Sequence, residues 1–144
     1  MTPTLFGRWQ TRLFLLATVG VIISLPFATG LIGSSPSPVY FFILAYVAGF
    51  GLVWDVLYDY LQKFRWDRDW PATHQLGAGI WEFFIILCGV KIFGFLPLPI
   101  PKEELSAELV LLHYTIVWIA IFTASQSLMR IIFPRSRFRG GQWL

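Results

Sequence analysis

Apolar residues run through the sequence in long stretches, and charged residues fall mainly between them. Between Arg12 and Asp55 there is no Asp, Glu, Lys or Arg, and a segment rich in Ser and Pro, residues 33–38, divides this run in two. A further uncharged run covers residues 109–129, and the stretch 75–96 carries only two charges. A helix needs about 20 mostly apolar residues to cross a bilayer, so the pattern predicts four membrane-spanning helices. They cover about residues 11–32, 39–64, 75–96 and 109–133.

The composition agrees with a membrane-embedded helical protein. Of the 144 residues, 56% are hydrophobic and 13% are charged, whereas a soluble domain is about 25% charged. A soluble chain of this length could not cover so much apolar surface, and the unbroken apolar runs do not alternate as barrel strands do. The single cysteine, Cys88, excludes a disulfide scaffold. We therefore expect an all-α integral membrane protein whose residues 1–144 form one domain, a four-helix bundle of two helical hairpins.

The basic residues predict the orientation of this bundle. Nine of them flank the helices at one end, whereas the loop at the other end holds only Lys102, beside three glutamates. Because cytoplasmic loops are rich in Lys and Arg, both termini are expected in the cytoplasm, in a bacterial plasma or internal membrane. The net charge of +3 thus indicates topology and not nucleic-acid binding. The densest basic group is expected to contact anionic lipid and comprises Arg135, Arg137 and Arg139.

The loop between the second and third helices has the most individual sequence, KFRWDRDWP at residues 63–71. Arg and Asp alternate within it, so local ion pairs can neutralise its charges near the headgroups. One interpretation is an interfacial clamp that fixes the hinge between the hairpins; the other is a docking surface for a partner. The candidate interface residues are Arg65, Trp66, Asp67, Arg68, Asp69 and Trp70.

Polar residues inside the predicted helices share faces with small residues, which is typical of helix–helix contacts in lipid. Asp55 and Glu82 are expected to face each other. Two carboxylates close together in low dielectric cannot both ionise cheaply, so they either share a proton or pair with Arg130 or Arg12. The predicted intramembrane polar cluster comprises Asp55, Asp59, Glu82, Gln126 and Arg130. Lys91, half a turn from Glu82, is expected to extend towards the opposite membrane surface.

Reaction motifs are not evident, and neither a catalytic residue nor a metal site is predicted. His74 and His113 fall at opposite membrane surfaces and cannot hold one haem together, but the contact of one histidine with haem or chlorophyll stays open. Quinone and lipid stay open too, so the cofactor is unknown. The spacing Asp55-x-x-x-Asp59 resembles a fragment of the motifs of membrane prenyltransferases and CDP-alcohol phosphotransferases, which implies Mg²⁺ bound against a diphosphate. The rest of those motifs is absent.

Three classes of function remain. The leading hypothesis is a non-catalytic subunit or scaffold that packs in the bilayer against a larger membrane-protein complex or a second copy of itself. The alternative is a small oligomeric ion channel or proton-coupled transporter that uses the intramembrane carboxylates, because carboxylates at that depth are costly to keep. An enzyme acting on lipid or isoprenoid diphosphates comes third.

Overall fold

In the computed structural model the chain folds into four long helices. The structure describes residues 3–33, 35–101 and 105–143, with Arg137 described by its backbone alone. The helices are α1 (Leu5–Ala28), α2 (Val39–Gln62), α3 (Ala72–Ile92) and α4 (Ala107–Ile132). Each is long and apolar enough to cross a membrane, which confirms the four predicted helices, and the described part of the chain contains no strand.

The helix ends differ most from the prediction in α1 and α3. Helix α1 begins at Leu5 instead of residue 11, because the Thr4 hydroxyl caps it by accepting a hydrogen bond from the Gly7 amide at 3.2 Å. Helix α3 ends at Ile92 instead of residue 96, shortly before Gly94, whose φ of 64° suits a glycine at the end of a helix. Both α1 and α3 contain one wider π-helical turn, at Leu16–Gly20 and Cys88–Ile92.

The packing of the helices is uneven. Helix α1 lies against both α2 and α4, and α2 lies against α3, whereas α3 and α4 contact each other only sparsely. The largest hydrophobic core lies towards the end of the bundle that carries the α1–α2 and α3–α4 loops, here named the loop end. Its buried members include Phe27, Val39, Ile43, Ile86, Val90 and Val110. At this end Lys91 donates a hydrogen bond from Nζ to the Leu105 carbonyl oxygen at 2.6 Å.

The opposite end of the bundle, the termini end, is closed by the last residues of the chain. A 3₁₀ helix, Pro134–Phe138, follows α4, and the segment after it packs on the start of α1. The Thr4 amide donates to the Gly140 carbonyl at 2.8 Å, and the Trp143 amide donates to Gln10 Oε1 at 3.2 Å. Gly7 permits this close approach, because a Cβ there would overlap the backbone of the final segment.

Candidate functional site

The centre of the bundle holds an ionic group formed by Arg12, Asp55 and Glu82, here named the central triad. Arg12 donates from Nε and Nη2 to the two Asp55 oxygens, both at 2.9 Å. It also donates from Nη1 and Nη2 to the two Glu82 oxygens, at 2.8 and 3.0 Å. One guanidinium therefore bridges both carboxylates, in the planar two-pronged geometry that arginine provides and lysine does not.

Each member of the triad comes from a different helix. Arg12 lies on α1, Asp55 on α2 and Glu82 on α3, so the group ties three helices together. Gly51, one turn before Asp55, makes room for it, because a Cβ at that position would overlap the guanidinium. The hydroxyl of Tyr58 donates to Glu82 Oε1 at 3.2 Å. The carboxylate residues are only 3% and 6% exposed, so their charges depend on these partners inside the protein.

The other residues assigned to the polar cluster lie in separate groups. Asp59 pairs with Lys63 of its own helix, at 3.5 Å and partly exposed. Arg130 donates to Gln126 Oε1 at 2.6 Å, and Gln126 donates to Gln75 Oε1 at 3.2 Å, which joins α4 to α3. The structure thus divides the five residues among three sites.

The Asp-x-x-x-Asp spacing does not produce a carboxylate pair. Asp55 binds Arg12 inside the bundle, whereas Asp59 binds Lys63 at its surface. Over the described residues, no three His, Cys, Asp or Glu side chains come together in a way that would hold a metal ion.

The loop at residues 63–71 contains a local clamp. Arg65 donates from Nε and Nη2 to the two oxygens of Asp67 at 3.0 and 2.9 Å, and the Asp69 amide donates to Asp67 at 3.1 Å. These hydrogen bonds, chiefly those from Arg65, lower the pKa of Asp67 to about 2. Beside the clamp the side chain of Trp66 is 95% exposed.

The second tryptophan of this loop has a different environment. The Trp70 ring packs against Tyr58 at 5.3 Å between centroids, and the Arg8 guanidinium lies 4.8 Å from its centroid. Arg8 also donates to Gln62 Oε1 at 2.7 Å, and Gln62 donates to the carbonyl oxygen of Arg68 at 2.6 Å. Trp70 therefore fastens the loop to α1 and α2, whereas Trp66 faces outwards.

The basic group near the C-terminus surrounds a short helical turn. Arg135 and Arg139 are exposed, and so is Phe138, at 91%. The side chain of Arg137 and all of Lys102 lie outside the described residues.

A cavity of about 450 Å³ runs along the middle of the bundle, with residues from all four helices in its wall. It extends from His113 at the loop end to Gln126 and Arg130 at the termini end, and the central triad lies on its wall. From residue 113 to residue 126 of one helix is ~20 Å at the usual rise per residue. The cavity is therefore long and narrow, charged towards the termini end and apolar towards the loop end.

His113 is the buried polar residue whose environment the sequence does not reveal. It is 1% exposed, and its Nε2 lies 2.8 Å from the hydroxyl oxygen of Ser24 on α1. The rings of Phe27 and Tyr40 lie 5.0 Å from its ring. Its Nδ1 is buried and has no hydrogen-bond partner in the described part of the chain. A histidine within an apolar run is the one sequence signal for such a site.

Comparison of the sequence with protein-family models, and of the sequence and structure with curated proteins and solved structures, finds no significant match. The function has therefore to be inferred from the geometry alone.

Proposed function

We propose that this protein is a non-catalytic subunit or scaffold of the membrane that associates with a membrane-protein partner, or with a second copy, through the outer side of α2. The observation that carries the proposal is the pair Ala45 and Gly49, which lie one turn apart on that side and are both exposed. A Cβ added at Gly49 would meet open space. Small residues spaced in this way let two helices approach closely in lipid.

The surface beside this pair favours the same interpretation. Val53 continues the line of exposed residues one turn further along and is 66% exposed. An apolar groove lies next to it, lined by Trp9, Leu52, Val53, Val56, Leu57 and Tyr60. A partner helix on this side would contact both the small residues and the groove.

The central triad supports a role without catalysis. Both oxygens of Asp55 and both oxygens of Glu82 accept hydrogen bonds from Arg12, so neither carboxylate is available as a general base in this arrangement. We assign the triad to holding α1, α2 and α3 together.

The proposal includes the orientation of the bundle, with both termini in the cytoplasm of a bacterial cell. It is supported by the nine-to-one distribution of basic residues. The exposed Phe138 between Arg135 and Arg139 would lie at the headgroup level on that side and contact anionic lipid. A reporter fused after the C-terminus is expected to be active only in the cytoplasm, and periplasmic activity would contradict this orientation.

Substitution of Gly49 tests the proposed contact. Gly49→Leu places a branched side chain where the partner helix would approach, so we expect the protein extracted in mild detergent to lose its partner or its second copy. The matched control is Gly77→Leu on α3, since Gly77 is also exposed and also has open space at its Cβ position. Size-exclusion chromatography with light scattering distinguishes a hetero-complex from a homo-oligomer. A monomeric wild-type protein without partners, or equal loss in both variants, would contradict the proposal.

One observation favours the alternative of ion or proton transport: the central triad lies on the wall of the long cavity. A transporting carboxylate would have to leave Arg12 during each cycle. Proton and cation flux into liposomes that contain the purified protein separates the two functions. The subunit hypothesis predicts no flux above empty liposomes, whereas flux that disappears in a folded Asp55→Asn variant would establish transport.

A further inference from the structure

The loop-end half of the cavity has an apolar wall and one buried polar residue. The wall residues there are Leu16, Ile43, Leu44, Val47 and Val117, with His113 among them. The whole cavity, at about 450 Å³, falls within the ~300–1,000 Å³ range of small-molecule sites. A molecule in this half would be surrounded by hydrocarbon and would have one polar group to contact.

The hydrogen bonds around His113 define which polar atom that is. The Ser24 hydroxyl has a single proton, and it donates to the Gly20 carbonyl at 2.8 Å. Towards His113 the same hydroxyl therefore accepts, so Nε2 carries the ring proton and donates to Ser24. None of the ion pairs between described residues involves His113, so the ring is the neutral tautomer. Its Nδ1 is then an acceptor without a donor.

A buried acceptor without a partner is costly, and such groups in native proteins usually have a reason. We propose that the loop-end half of the cavity binds a small amphiphile with an apolar body and one hydroxyl group, which donates a hydrogen bond to Nδ1 of His113. The apolar wall takes the body of the ligand, and the hydroxyl satisfies the nitrogen. This site is independent of the α2 surface and leaves the central triad intact.

Two probes of nearly equal size test the proposal. Nonylphenol carries the hydroxyl group, and nonylanisole, its methyl ether, has no proton to donate. Binding to the purified protein in detergent is followed by the shift of the thermal unfolding midpoint. We expect the phenol to bind about five- to tenfold more tightly than the ether, the effect of one net hydrogen bond. Equal binding of the two probes, or binding of neither, would overturn the proposal.

The ¹⁵N resonances of the two histidine rings test the tautomer directly. In the free protein His113 should show a protonated Nε2 and an unprotonated Nδ1, and the phenol should shift the Nδ1 resonance. A protonated Nδ1 in the free protein would refute the proposed hydrogen bond. Dodecanol and its methyl ether, used in the same way, show whether the site takes aliphatic as well as aromatic hydroxyl groups.

Substitutions of the two histidines provide a matched pair. His113→Gln keeps an amide that can donate to Ser24 but removes Nδ1, so it should bind both probes equally. His74→Gln, an exposed residue at the termini end, should keep the preference for the phenol. In a third variant, Val117→Trp, the indole fills the apolar half without altering His113, and both probes should lose binding. Preference retained in His113→Gln, or phenol binding retained in Val117→Trp, would contradict the proposal, so the test does not depend on one variant folding.

Discussion

Replacement of Arg12 by methionine is the most direct test of what holds this bundle together. Methionine fills much of the arginine volume but donates no hydrogen bond. The variant therefore leaves Asp55 and Glu82 facing each other without the cation that binds all four of their oxygens. Both residues are buried, so water cannot replace the lost donors unless the helices separate.

The structure sets the magnitude of the effect. Removing one partner of a buried ion pair costs about 3–5 kcal/mol, and here two carboxylates lose the same partner, so we expect about 5 kcal/mol. That is a large share of the ~5–15 kcal/mol by which most domains are stable. At about 3 °C per kcal/mol for a chain of this size, the unfolding midpoint should fall by about 15 °C. Arg12→Lys should fall in between, because one ammonium cannot form the four hydrogen bonds.

Thermal unfolding in mild detergent, followed by circular dichroism, measures these effects. The control is a triple variant in which Arg12→Met is combined with Asp55→Asn and Glu82→Gln. It has no buried charge at this site and should recover most of the loss. If Arg12→Met alone unfolds within about 1 kcal/mol of the wild type, or the triple variant is no more stable than the single one, the triad does not clamp the helices.

Gly51 supplies an independent check of the same geometry. Gly51→Ala would place a Cβ on the guanidinium of Arg12, which four hydrogen bonds hold in place. We expect a loss of about 1–3 kcal/mol in the wild-type background. In the Arg12→Met background the same substitution should have little effect, because the guanidinium is gone. A double-mutant cycle measures this coupling, and additive losses would place Arg12 elsewhere.

Two further predictions concern the α3–α4 contact and the loop at residues 63–71. Gly79→Ala should destabilise the protein by about 1–3 kcal/mol and shift its tryptophan fluorescence, because a Cβ at Gly79 would overlap the indole of Trp118; an unchanged spectrum and midpoint would refute this contact. Arg65→Gln should raise the pKa of Asp67 from about 2 towards its ordinary value of 3.8, as an NMR titration of the carboxyl carbon would show. Since the folded-state pKa is the lower one, the Arg65–Asp67 contact stabilises the fold above about pH 4 and ceases to do so as the pH falls through about 2.

The apolar runs were enough to predict four helices, but the start of α1 was not predictable from charge alone. Arg8 and Arg12 suggest a boundary when each residue is considered singly. Both lie inside α1, because their partners, Gln62, Asp55 and Glu82, come from other helices. Helical periodicity shows which residues share a face, but it does not give the register between two helices. Sequence reasoning therefore left Arg12 and Arg130 as equal candidates for the carboxylates.

The contact of His113 was beyond prediction for a related reason. A serine in an apolar helix usually bonds to a carbonyl of its own helix, and Ser24 does so with Gly20. Nothing in that pattern indicates a second bond to a residue far along the chain. The cavity has the same origin, since it depends on how sparsely α3 and α4 pack and not on a feature of either helix.

The contacts between the two ends of the chain have a consequence for its synthesis. The Thr4 amide binds Gly140 and Gln10 binds Trp143, so the first turns of α1 receive these partners from the last residues to leave the ribosome. The earliest part of the protein to be made is in this respect the last to be completed. A stop codon only ten residues early would therefore alter the beginning of the fold as well as its end, and such a product would present an unfinished N-terminal helix to quality-control proteases.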